Sequence, residues 1–103
     1  MRIKRNTVGP VAEKILVKVA NDYNITLGTL LSPSRQFELM DARTIIGLVL
    51  FGLGYTKCSI GDVLNRKDHT TIINLLKRGD KREDLKIMAS KYRKWLDINL
   101  DIK

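Results

Sequence analysis

The longest uncharged run in the chain, Thr44-Ile45-Ile46-Gly47-Leu48-Val49-Leu50-Phe51-Gly52-Leu53-Gly54-Tyr55-Thr56, lies between Arg43 and Lys57 and decides much of the architecture. It falls short of the roughly 18–20 apolar residues that a bilayer-spanning helix needs, so it reads as part of a buried core helix. From about Phe37 to Leu53 the pattern is polar at its start and apolar almost all round later, the mark of a central element that others pack against. That helix is expected to stop at Gly54.

The flanking segments carry narrower helical stripes. Residues 1–10 form a basic arm ending at Gly9-Pro10, and the folded domain is expected over residues 11–103. Val11 to Asp22 repeats apolar residues at helical spacing through Val11, Ile15 and Val19, widened by Leu16 and Ala20. Thr26 is placed to cap a short helix Leu27 to Leu31, which Ser32-Pro33-Ser34 ends. Asp80 is expected to cap a last helix running through about Leu96, with Leu85, Met88, Tyr92, Trp95 and Leu96 on its apolar side. With 103 residues and 44% hydrophobic content, the chain suffices for one compact core and no more. The expected fold class is all-α, with about six helices.

Between the central and last helices the sequence changes character. Thr56 is a candidate N-cap, and Ile60, Val63 and Leu64 make one stripe of a short amphipathic helix. Asn65-Arg66 follows as a polar turn. Then Lys67-Asp68-His69-Thr70-Thr71 crowds charge and hydrogen-bonding groups into the first turn of another helix, expected from Asp68 to Lys77 and ended by Gly79. Helix, tight turn, and helix with polar residues at its start form a helix-turn-helix, whose second helix sets its N-terminal side chains against base edges in the major groove. Lys plus Arg number 19 against 11 Asp plus Glu, giving +8 and a pI near 9.9, which suits a polyanion partner.

The Ile60-Gly61 pair, Leu64, the turn Asn65 to Lys67, and Asp68-His69-Thr70-Thr71-Ile72 together resemble the C-terminal DNA-binding domain of the bacterial replication initiator DnaA. The resemblance extends back through Leu30-Leu31-Ser32, Arg35 and Ala42-Arg43 and covers roughly residues 11 to 90. Asn74 and Arg78 depart from the family pattern. The resemblance implies a DnaA C-terminal, Trp-repressor-like fold and binding of double-stranded DNA at a DnaA-box-like site.

It further implies base contacts from Asp68, His69 and Thr70 and minor-groove entry by Arg35, where guanidinium reads a narrow, A·T-rich groove. Asp68 has a second possible job as a helix N-cap. Arg43 matches a family phosphate contact. Phosphate contacts are also expected from Lys67, from Thr71, and from Lys57 and Cys58 at a helix start with free amides. Arg66 and Asn74 are possible additional DNA contacts, Asn74 lying about one turn beyond Thr70.

Other chemistry finds little support. With one histidine and one cysteine the chain offers no metal cluster, no disulfide and no nucleophile beside His69, so neither catalysis nor a cofactor is expected. Gly52-Leu53-Gly54 ends a helix and lacks the Lys-Ser or Lys-Thr of a phosphate loop, which argues against a nucleotide site. The initiator's ATPase module is not represented in these residues, and the expectation is a stand-alone domain, monomeric on DNA, regulating replication or transcription. An interaction module that keeps the fold but docks protein or RNA is the alternative. No apolar leader precedes Glu13, Lys14 and Lys18, and the lone Cys58 suits a reducing compartment, so a cytoplasmic location without membrane attachment is expected.

Overall fold

A computed structural model describes residues 10–34, 36–66 and 69–100; at positions 10, 69, 99 and 100 the description is of the backbone alone. Among the described residues there are six helices and no strand: α1 (Pro10–Asp22), α2 (Leu27–Leu30), α3 (Phe37–Gly52), α4 (Lys57–Val63), α5 (His69–Lys81) and α6 (Glu83–Leu100). The all-α expectation holds.

The uncharged run does what its composition requires. α3 touches each of the other five helices, and Ala42, Ile45, Ile46, Val49 and Leu50 are buried on it. Around it pack Ile15, Leu16 and Val19 of α1, Ile60 and Val63 of α4, Ile72 and Leu75 of α5, and Leu85, Tyr92 and Leu96 of α6. An all-round apolar helix gains its stability by giving every face such a neighbour, at about 25 cal/mol for each Å² of apolar surface removed from water.

Three helices end in the same way. At Asn24, Gly54 and Asn65 the backbone turns left-handed, with φ of 59°, 100° and 61°. The amide after each reaches back to the carbonyl five residues earlier: Ile25 to Ala20, Tyr55 to Leu50 and Arg66 to Gly61, at 2.9, 3.0 and 2.7 Å. These are Schellman closures, in which a left-handed residue lets the last carbonyls find donors. Asparagine tolerates that conformation better than other non-glycine residues. The caps foreseen at Thr26 and Thr56 form, each hydroxyl accepting the amide three residues on, at 3.1 and 3.0 Å.

The end of α5 differs from the expectation. Gly79 does not stop the helix, which continues to Lys81, and α6 begins at Glu83 rather than after an Asp80 cap. The reason lies in packing. A Cβ on Gly79 would stand 2.7 Å from Leu48 Cδ1 and 2.9 Å from Thr44 Cγ2, so glycine here lets α5 lie hard against α3. That contact offsets the roughly 1 kcal/mol that glycine costs inside a helix.

Candidate nucleic-acid interface

The joint between α4 and α5 is set by two residues. Gly61 has no room for a side chain, since a Cβ there would come within 2.5 Å of the Arg66 carbonyl oxygen. Asn65 supplies the left-handed step that brings Arg66 back over it. The turn is therefore tight by construction, and α5 leaves it with Ile72 and Leu75 buried while Thr70 and Asn74 face solvent and Thr71 is half-buried. The alternation follows the helical repeat, so the buried stripe fixes which side chains point outward.

A second feature braces the loop between α2 and α3. Arg43 is 2% exposed, and its guanidinium donates to three carbonyls at the end of α2 and in the loop after it: Nε to Leu30 O at 2.8 Å, Nη2 to Ser32 O at 2.7 Å and Nη1 to Ser34 O at 2.7 Å. Arg66 reaches the same loop from the α4–α5 turn, with Nη2 2.6 Å from Ser32 O and Nη1 3.4 Å from Leu31 O. Burial, and then the neighbouring Arg66 charge, lower the Arg43 pKa from the ordinary arginine value. Arginine keeps its proton at any pH of interest all the same.

Arg43, expected as a phosphate contact, is instead buried and spends its donors on backbone oxygens. Arg66, expected as a possible DNA contact, is likewise engaged with the loop. Nothing in the sequence marks this brace, because backbone carbonyls carry no sequence signature and arginine is usually exposed.

At the far end of α5, Arg78 Nη1 lies 2.6 Å from Asp41 Oδ1 on α3, in ion-pair contact but not aligned as a hydrogen bond. Arg82 Nη2 stands 3.6 Å from the other Asp41 oxygen. Both guanidiniums also lie over the exposed Phe37 ring, at 5.3 and 5.9 Å from its centroid. Asp41 was not foreseen in this role. Between the braced loop, the start of α3 and α5 runs a cleft of about 460 Å³ whose lining includes Pro33, Met40, Arg66, Thr71, Asn74 and Arg78.

Lys57 and Cys58 stand together at the start of α4, behind the Thr56 cap. Cys58 is exposed, and the Lys57 ammonium lies 5.3 Å from the Phe51 ring centroid. Arg35, Lys67, Asp68, the side chain of His69 and the basic arm of residues 1–9 lie outside the described residues. Among the described residues no group of three or more His, Cys, Asp or Glu side chains is placed to hold a metal. No described helix is long and apolar enough to cross a membrane.

No curated protein and no solved structure matches the chain. The family model for the bacterial DnaA protein helix-turn-helix matches residues 12–78. That span begins in α1 and runs through the braced loop, the central helix and the α4–α5 turn to Arg78. With the left-handed turn at Asn65, the Thr26 and Thr56 caps and an exposed Thr70 in that span, the chain belongs to the bacterial DnaA helix-turn-helix family.

Proposed function

We propose that the chain binds double-stranded DNA in a sequence-specific manner at a DnaA-box-like site and acts in regulating replication or transcription. The observation that carries this reading is the Gly61–Asn65 turn, which sends an amphipathic α5 outward with Thr70 exposed at its start, inside a span matching the DnaA helix-turn-helix. Such a helix start suits the major groove, where a threonine methyl can meet a thymine methyl.

In this reading Asp68, His69 and Thr70 face base edges, and Arg35 enters the minor groove. Thr71, Lys57, the Cys58 amide and Lys67 meet phosphates, and the chain binds as a monomer. The charge of +8 supplies the salt-dependent attraction common to all duplexes. Arg43 and Arg66 serve by holding the loop that leads into Arg35.

Selection of bound sequences from a random duplex pool, followed by footprinting, tests the proposal. The expected result is one discrete protected box. Uniform, salt-sensitive coverage would overturn it and favour a basic interaction module instead.

A further inference from the structure

The outward stripe of α5 does not end with Thr70. Residues 70, 74, 77 and 81 fall within about 60° of one another around a helix that advances ~100° per residue. All of them, Thr70, Asn74, Lys77 and Lys81, are exposed, while Ile72, Leu75 and Gly79 are buried on the opposite side. Asn74 is the one amide in that stripe. It rises about 6 Å beyond Thr70 along the axis, close to two base-pair steps of ~3.4 Å.

We propose that Asn74 is a specificity-determining residue that reads an adenine in the major groove, next to the bases met by the start of α5. The proposal rests on the DNA-binding reading above and deepens it. Three observations support it. The Asn74 side chain is exposed and takes no hydrogen bond among the described residues, so its donor and acceptor are both available. It stands with Thr71 at the cleft between α5 and the braced loop, with Arg66 and Arg78 in the same lining. The Arg66 guanidinium adds positive potential that draws a duplex in, while the Arg78 charge is offset by Asp41.

The third is rigidity. α5 is pinned to α3 by the close approach at Gly79 and by the Arg78–Asp41 contact of 2.6 Å. A side chain on a pinned helix has less freedom to lose on binding, so more of its contact energy appears as discrimination. Adenine is the base an asparagine fits: the side-chain NH₂ donates to N7 and the side-chain oxygen accepts from the N6 amino group, a pairing no other base edge offers.

The test uses the full chain and the duplex it selects. Wild type should require adenine at one position. Replacing that adenine by 7-deazaadenine, which lacks the N7 acceptor, should weaken binding about tenfold, the scale of a lost bidentate base contact. Asn74→Ala should bind the natural and 7-deaza duplexes equally, and random duplex as well as wild type does. A 7-deaza penalty equal in wild type and Asn74→Ala would overturn the assignment while leaving box recognition intact. Failure of wild type to select any box would overturn both this inference and the proposed function.

Discussion

Arg43 and Arg66 converge on one backbone oxygen, that of Ser32, from 2.7 and 2.6 Å. One guanidinium comes from the central helix and the other from the helix-turn-helix turn, so a single loop carbonyl ties the two together. Two positive groups so close repel each other. Their shared acceptor and the other loop carbonyls offset that repulsion, because hydrogen bonds to charged donors are worth about 1.5–3 kcal/mol each.

Arg43→Ala should therefore act first on stability. Removing a buried guanidinium that serves three carbonyls is expected to cost about 3–5 kcal/mol in chemical denaturation. Arg43→Lys should recover only part of this, since an ammonium cannot span three divergent acceptors. An alanine variant as stable as wild type, with a flatter salt dependence of DNA binding, would return Arg43 to the phosphate set.

The α4–α5 turn predicts opposite outcomes at neighbouring positions. Asn65→Gly should be neutral or slightly stabilising, whereas Asn65→Ala should cost about 1 kcal/mol for forcing a Cβ into left-handed backbone. Gly61→Ala should cost about 1–3 kcal/mol, because the atom its Cβ meets at 2.5 Å is a backbone carbonyl oxygen that cannot swing aside. Thermal melts of the three variants decide the point, and a Gly61→Ala protein melting like wild type would rule out the close turn.

What was legible in the sequence was local. The caps at Thr26 and Thr56 and the stop at Gly54 depend on residues within one turn of them. The central role of α3 was legible because no helix apolar on all sides can stay on a surface. The end of α5 was not, since whether Gly79 breaks or continues the helix depends on Thr44 and Leu48, more than thirty residues earlier. The Arg43 brace was hidden for a related reason: its partners are main-chain oxygens brought near only by the fold.

Tyr92 offers a test at alkaline pH. Its hydroxyl donates to Asp22 Oδ2 at 2.7 Å, joining α6 to α1. Burial, then that hydrogen bond and the Asp22 charge, hold its pKa above the ordinary phenol value. The fold thus favours the protonated phenol, and the stabilisation is complete below pH ~10 and lost as pH rises further. Tyr92→Phe should cost about 1 kcal/mol near neutrality and lessen the alkaline loss. Tyr23, also raised by burial, leaves a residual slope. Denaturation midpoints between pH 8 and 11 would show it, and parallel curves for wild type and Tyr92→Phe would count against a protonated, hydrogen-bonded Tyr92.

Thr70 and Lys57 should separate reading from attraction. Thr70 is exposed at the start of α5, and Thr70→Ala should relax preference at one or two base pairs by about 1–3 kcal/mol, with little change on random duplex. Lys57 stands at the start of α4 with its ammonium over Phe51. Lys57→Ala should instead weaken every duplex alike and reduce the slope of log affinity against log salt by about one. Titrations of both variants on the selected box and on random duplex, at several salt concentrations, distinguish the patterns. Equal losses on both duplexes for Thr70→Ala would move that residue out of the reading set, and an unchanged salt slope for Lys57→Ala would remove the start of α4 from the phosphate path.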